Sequence, residues 1–238
     1  MALSPRAPYP SENKAVVGMR QAKFSSTGTQ QFYVTETKVY TGRNAEGTQK
    51  DITGSVSLTG GVDDRVRTAF LLDSIVATNG KNATFTWNGN YDTPANAAVL
   101  GGSPPWSTCR DVVAHGNVLI VLNTIESVGG SDTKFPTRLR RSDINTRTFE
   151  PDITSWIADN RTEIAEMSGD IIGGVDNWDR LFVFKEDGLY TGRIIYDMGN
   201  LEYKHEDVVK GFSPVATHSL LARPEFVWGV AKEGAFII

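Results

Sequence analysis

The stretch RLFVFKEDGLYTG, from Arg180 to Gly192, is the clearest structural signal in the sequence. Two apolar runs, RLFVF and GLYTG, flank the polar residues Lys185, Glu186 and Asp187. Short runs rich in aromatic and β-branched residues on both sides of a polar tip are typical of two antiparallel strands joined by a tight turn. We therefore predict a β-hairpin here, with Lys185, Glu186 and Asp187 as its solvated tip.

Related strand patterns recur along the chain. Core strands begin near residues 32, 74, 118, 180 and 226, so the intervals are about 42, 44, 62 and 46 residues. A period of roughly 40–50 residues is typical of a four-stranded propeller blade. The sequence predicts an all-β fold, a β-propeller-like array of about four to five antiparallel blades, with a β-sandwich as the alternative. The further runs are FYV and KVY within 32–40, SIVA and ATFTW within 74–87, VLIVL at 118–122, and FVWGV and AFII within 226–238.

Two segments interrupt the period, and we predict long loops at 88–110 and 125–168. The first is rich in Gly, Ala, Asn and Pro. In the second, Ile153, Trp156, Ile157 and Ile164 are loosely helix-spaced. We expect a short helix there, although Thr, Asn and Asp dilute the pattern.

The domain organisation follows from this pattern. We predict one propeller-like domain over 30–238, preceded by an extended N-terminal arm over 1–29. The apolar run Phe236–Ile238 resembles a bare edge strand, which invites pairing with another strand. The segment Val16–Arg20 of the arm is a candidate to close the last blade. A strand from a neighbouring subunit, or a chain that is a fragment of a longer protein, would explain the edge equally well.

Composition excludes several classes of site. The 238 residues carry a net charge of −4, which gives no global field for nucleic acid or anionic lipid. Cys109 is a single cysteine and cannot form an internal disulfide. No apolar run approaches the roughly 18 residues that span a bilayer, so we expect no membrane contact and assembly in a cytoplasm. Phosphate-binding and zinc motifs are missing, and the widely spaced His115, His205 and His218 do not suggest ligands. We predict no enzyme activity, no cofactor and no metal.

Two groups are candidates for an interface or channel. Arg138, Arg140 and Arg141 form a short basic cluster. It is either a solvated surface loop, or an inter-subunit ion pair or contact with DNA backbone. A second group, in the first predicted loop, consists of apolar residues that we expect to be buried between chains. Its members are Val99, Leu100 and Trp106.

Three steps occur in a characteristic order over 138–192. Arg140 to Ile144 reads RRSDI, Ser168 to Gly174 reads SGDIIGG, and Trp178 to Tyr190 reads WDRLFVFKEDGLY. This succession resembles tailed-bacteriophage virion proteins with a β-propeller-like domain, including the nozzle and hub proteins of short tails. The likeness is weaker over 30–90. The sequence departs from the pattern in the position of Trp156, in the segment 88–106 and in its short length.

The resemblance implies a structural component of a tail, a nozzle, hub or adaptor ring that assembles below the portal and continues the DNA ejection channel. It implies a homo-oligomeric ring, for which six-fold symmetry is one option. Other virion tail proteins, such as adaptors and fibres or spikes, would be its partners. Genomic DNA would meet it only in transit, the location would be the virion, and no catalytic residues transfer.

The matched residues have predicted structural roles. We expect Asp170 and Gly173-Gly174 to form a turn, where glycine allows a positive φ or close packing. We expect Leu181, Val183 and Leu189 to face other blades.

Two other functions stay open. One is a propeller that binds or cleaves host-surface glycans, with exposed aromatic residues and facing carboxylates. Asp63-Asp64 is a weak candidate for its acid pair. The other is a scaffold that binds peptides.

Overall fold

The computed structural model shows an all-β chain. Among the residues that it describes there is no α-helix, and a single 3-10 turn lies at Thr217–Ser219. The described residues are 12–43, 49–93, 96–102, 104–144, 148, 150–166, 168–197, 200–211, 213–214, 217–232 and 234–238.

The chain forms two compact units, one up to Leu100 and one from Gly101 onward. The first unit contains two four-stranded antiparallel sheets, each in sequence order. Blade 1 consists of β1 (Val16–Phe24), β2 (Gly28–Thr35), β3 (Val39–Arg43) and β4 (Gln49–Asp51). Blade 2 consists of β5 (Arg67–Leu71), β6 (Ser74–Thr78), β7 (Phe85–Trp87) and β8 (Ala98–Val99).

The second unit contains three blades. Blade 3 has the order β14-β11-β10-β9, and the small hairpin β12–β13 lies in the chain between β11 and β14. These strands are β9 (Trp106–His115), β10 (Val118–Val128), β11 (Ser131–Arg141), β12 (Asp143–Ile144), β13 (Pro151–Asp152) and β14 (Arg161–Glu163). Blade 4 consists of β15 (Ile171–Asn177), β16 (Arg180–Lys185), β17 (Gly188–Asp197) and β18 (Asn200–Lys210). Blade 5 consists of β19 (Leu221–Arg223), β20 (Phe226–Ala231) and β21 (Gly234–Ile237).

The predicted fold class is confirmed: the chain is an all-β, propeller-like array of five antiparallel blades. Each predicted core run lies in a strand or overlaps one by most of its length, and the Arg180–Gly192 hairpin is β16 paired with β17. The apolar runs form strands because β-branched and aromatic side chains pack on both faces of a covered sheet.

In the first unit the core forms around aromatic side chains from both blades. Phe24 and Phe32 pack against Trp87 with ring centroids 5.1 and 6.0 Å apart. All three side chains are buried, as is Phe85. Aromatic pairs at these distances add to the stabilisation from buried area.

In the second unit blade 4 contributes to two cores. Leu181 and Val183 of β16 join the core that includes Leu122 of blade 3. Leu189 of β17 joins a separate core with Val227 of blade 5. The expectation that these three residues face other blades is therefore confirmed.

Three local predictions are wrong. The helix expected around Ile153–Ile164 is a series of turns that ends in β14. The segments 88–110 and 125–168 are not continuous loops, because strands β8 to β14 use parts of them. The candidate closing strand Val16–Arg20 belongs to β1 and pairs with β2 of the first blade.

Candidate functional site

The predicted arginine cluster lies on β11 and its end, and it is buried. The guanidinium groups of Arg138 and Arg140 both donate hydrogen bonds to the carboxylate of Glu126 on the neighbouring strand β10. Each of these three nitrogen–oxygen distances is 2.7 Å. Arg138 also donates to Glu163 at 2.5 Å and stacks over the ring of Phe135.

The electrostatics of Glu126 reflect this pairing. Burial alone would raise the pKa of the Glu126 carboxyl, but hydrogen bonds from Arg140 and Thr124 and the charges of both arginines lower it below its ordinary value. The network therefore holds a buried carboxylate in its charged form. Its chemistry is that of a structural ion pair, because each hydrogen bond given to Glu126 comes from the same blade.

Arg141 is also buried, and its guanidinium donates to Asn160 Oδ1 at 3.4 Å. The structure thus places all three arginines inside blade 3 rather than on a solvated loop.

The predicted apolar interface residues separate into two groups. Leu100 is buried within the first unit, and its backbone N–H donates to Thr84. Trp106 is buried in the second unit, edge-on to Trp156 at a centroid distance of 4.1 Å. Neither residue needs a second chain for its burial. Val99, on the edge strand β8, is 47% exposed and is the member of this set that could contact another chain.

Two contacts that join blades 3 and 4 were not predicted from the sequence. The buried carboxylate of Asp111 on β9 accepts the backbone N–H of Gly174 on β15 at 2.9 Å. His115, at the end of β9, lies 2.6 Å from Asp176 through Nδ1. Residues more than sixty positions apart in sequence make these contacts, so no local motif could indicate them.

Two predictions for the matched segment need correction. Lys185 does not lie in a solvated tip: it ends β16, is fully buried, and donates to the Ile164 carbonyl at 2.7 Å. Burial lowers its pKa, and the charges of Glu166, Asp170 and Asp187 oppose that shift. Gly174 lies within β15, not in a turn. A Cβ there would come within 2.7 Å of Leu122 Cδ1, so close packing is the reason for glycine.

The weak acid pair at Asp63-Asp64 does not form a pair of facing carboxylates. Asp63 is exposed, whereas Asp64 accepts hydrogen bonds from Lys81 and from the backbone N–H of Gly61, both at 2.7 Å. The hydrogen bond from Lys81 contributes most to lowering the pKa of Asp64.

One end of the second unit displays three hairpin tips. They are Gly116–Asn117 of blade 3, Trp178–Asp179 of blade 4 and Pro224–Glu225 of blade 5. The pair His115–Asp176 joins the first two tips. The side-chain amide of Asn177, oriented with its nitrogen toward blade 5, donates to the carbonyls of Arg223 and Pro224 at 2.7 and 3.2 Å. The tips therefore form one continuous surface, with Trp178 80% exposed.

Other features can be stated for the described part of the chain. Those residues contain no group of three or more His, Cys, Asp or Glu side chains arranged to hold a metal ion. They also include no helix of the length and hydropathy that a membrane span needs. The side chain of His205 lies outside the described set.

No family model matches the sequence, and no curated protein matches it. Solved structures do share its fold. One is a humanized mutant of the Chaetomium thermophilum Polycomb Repressive Complex 2 bound to an inhibitor, with a TM-score of 0.57, 10% identity, and coverage of 96% of this chain and 56% of that chain. Another is the extracellular domain of a putative hybrid two-component system from B. thetaiotaomicron, with a TM-score of 0.52, 9% identity, and coverage of 98% and 27%.

A third similar structure is BBS1N in complex with ARL6DN, with a TM-score of 0.52, 13% identity, and coverage of 96% of this chain and 66% of that chain. The chain thus spans about half the length of the first of these proteins and about a quarter of the second. At such low identities the likeness shows a shared fold and carries no function.

Proposed function

We propose that this protein is a structural component of a bacteriophage tail, a nozzle, hub or adaptor ring that assembles below the portal and continues the DNA ejection channel. One observation supports the proposal most. In the segment that resembles tail proteins, the buried charged side chains make contacts within blade 3 or between blades 3 and 4. Arg138 and Arg140 bind Glu126, and Lys185 binds the Ile164 carbonyl.

Such contacts stabilise the fold and do not form a reactive site. Catalytic groups need to reach a substrate, whereas these groups are buried and paired within the unit. A structural role therefore fits the segment better than glycan cleavage does.

A ring needs a surface that one subunit offers to the next. The strand β8 is two residues long and lies at the edge of its sheet, where Val99 is exposed. Exposed sheet edges are templates for pairing with another chain. In a cyclic ring, each subunit contributes the same two complementary surfaces. We place Val99 in one of them.

The first test is the native mass of the purified protein, by light scattering on a size-exclusion column, alone and with the portal and adaptor proteins of its virion. We expect a ring, or a ring that forms only on the portal template. Val99→Asp is expected to weaken that assembly, because it places a charge in the contact. Val62→Asp, at a similarly exposed site (51%) in the same unit, is the matched control.

A protein that stays monomeric under both conditions and is absent from purified virions would overturn the proposal. Equal assembly of both variants would show that Val99 is not in the interface, but it would not contradict the proposal that the protein forms a ring.

A further inference from the structure

The hairpin tip of blade 4 displays an indole ring in solvent. Trp178 is 80% exposed, whereas Trp87 and Trp106 are buried, and Trp156 and Trp228 are half-buried. Tryptophan offers a large flat apolar face together with one N–H donor, and both are usually used in contacts. At this tip, most of the surface of Trp178 is therefore exposed to solvent.

The backbone holds this ring at the apex of a tight turn. Asn177 and Arg180 are paired, so Trp178 and Asp179 alone form the turn. Trp178 has a φ of 51°, in the left-handed region that a bulky residue rarely adopts. The equivalent tip of blade 3 uses Gly116 at a φ of 55°. A bulky aromatic residue thus occupies a position where glycine would carry less strain, and such strain clusters at binding sites.

Polar groups near the ring in sequence are paired with groups on other strands. His115 Nδ1 holds Asp176 at 2.6 Å, and Arg193 pairs with Asp179 at 3.2 Å. The amide of Asn177 is held by the blade 5 tip. Pre-positioned acceptors and donors of this kind can bind a ligand without a large loss of side-chain freedom.

The charges on this surface balance. Among the charged residues on the tips and next to them, three acids are matched by three arginines, so these six groups by themselves do not favour a polyanion or a polycation. Among the exposed residues of the three tips, Trp178 is the single large hydrophobic side chain. A peptide with several apolar anchors would therefore find no second pocket. The acids are Asp176, Asp179 and Glu225, and the bases are Arg180, Arg193 and Arg223.

One flat apolar ring within a rim of carboxylate, amide and guanidinium groups matches the chemistry of a pyranose. The C–H face of a sugar stacks on an indole, and its neighbouring hydroxyls form paired hydrogen bonds with carboxylate or amide groups. We propose that the tip surface around Trp178 is a binding site for a neutral glycan. This property goes beyond a structural role in the tail and does not depend on ring formation.

The test is a titration of the full, 15N-labelled chain with cellohexaose, maltohexaose and the neutral hexamer of N-acetylglucosamine. The indole N–H signals of the five tryptophans are followed by NMR. We expect a saturable shift of one indole signal, assigned to Trp178 by its loss in Trp178→Gly, for at least one hexasaccharide. A dissociation constant on the order of 0.1–1 mM is expected for such a small contact.

Three variants make the result specific. Trp178→Gly removes the ring and suits the positive φ, so the fold is retained and binding is expected to weaken by about tenfold or more. Trp178→Tyr keeps an aromatic face and is expected to retain most of the binding. Val128→Ala changes another exposed apolar residue of the same unit (53% exposed) and is the control with unchanged binding.

The proposal is overturned if none of the three hexasaccharides gives a saturable shift, or if Trp178→Gly binds as tightly as the parent. Binding of unstructured peptides at Trp178 without binding of any hexasaccharide would assign the tip to protein recognition instead. Since the titration uses the isolated chain, its outcome is independent of the native-mass test. A ring that binds no glycan, and a monomer that binds one, are both distinguishable results.

Discussion

Glu126 is a buried carboxylate that accepts four side-chain hydrogen bonds, from Thr124, Arg138 and twice from Arg140. Replacing it with Gln removes the negative charge and leaves two buried guanidinium groups without their common counter-charge. Loss of one partner from a buried ion pair costs about 3–5 kcal/mol. We therefore expect Glu126→Gln to lower the free energy of unfolding by about that amount, measured by urea denaturation.

Glu163 offers the matched control, because it binds the same Arg138 but its side chain is 42% exposed. Exposed ion pairs contribute about 0–1 kcal/mol. Glu163→Gln should therefore change the unfolding free energy far less than Glu126→Gln does. Equal losses in the two variants would show that burial does not set the strength of this network.

Trp178 allows a second prediction at the residue level. Because Trp178 is 80% exposed and the other four tryptophans are buried or half-buried, it should dominate the quenching of fluorescence by iodide. Trp178→Phe is expected to remove most of the quenchable emission, whereas Trp106→Phe should leave the quenched fraction nearly unchanged. Similar effects of the two substitutions would contradict the exposed position of Trp178.

The arginine cluster shows what could be predicted about single residues. The sequence revealed three close arginines, and either of two surface roles was reasonable. Their counter-charge, Glu126, lies on the preceding strand, 12 and 14 positions before Arg138 and Arg140. Only the pairing of β10 with β11 brings them together. The pattern of charges along a chain does not contain that information, and the same holds for His115 and Asp176.

Gly174 shows how packing constrains a whole strand. It lies in the middle of β15, where an added Cβ would meet Leu122 Cδ1 at 2.7 Å and the Phe182 carbonyl at 3.2 Å. Overfilling a packed core typically costs 1–3 kcal/mol. Gly174→Ala should therefore lower the free energy of unfolding by about that amount, measured by urea denaturation.

Gly101 provides the control for this substitution, because a Cβ there would meet nothing within 4 Å and its φ is not in the left-handed region. Gly101→Ala should be close to neutral. If Gly174→Ala were equally neutral, the separation between β15 and blade 3 would have to adjust at little cost.

Elements differed in how well the sequence predicted them. The inner strands were found because each is an apolar run of several residues beside a polar turn, as in β16 and β17. The strands β8, β12 and β13 are two residues long, too short to show a period of two. The helix was predicted wrongly because the spacing of Ile153 and Trp156 reflects packing in an irregular segment, where Trp156 packs on Trp106. A hydrophobic spacing of three or four residues does not by itself distinguish a helix from an irregular packed segment.

For the chain as a whole, we expect acid to be destabilising, because four carboxyl groups have pKa values below their ordinary values. The pKa of Asp64 is lowered chiefly by Lys81, and that of Asp152 by the Thr154 hydroxyl. For Asp51 and Glu126, burial would raise the pKa, but hydrogen bonds and cations outweigh it. A carboxyl with a lower pKa in the folded chain binds fewer protons than the unfolded chain in acid. Its contribution is therefore present above the unfolded value and is lost as the pH falls through the folded one.

The resulting prediction concerns the pH dependence of unfolding. The urea midpoint should be nearly constant from about pH 7 to pH 5 as far as these carboxyl groups are concerned, and should fall between about pH 5 and pH 3. Glu126→Gln should begin from a lower midpoint and lose less of it over the acid range, because one of the contributing carboxyl groups is gone. Val128→Ala, which removes no charge, should keep the slope of the parent. If the parent and Glu126→Gln gave parallel slopes, the buried network would not contribute to acid sensitivity, and Asp51, Asp64 and Asp152 would have to account for all of it.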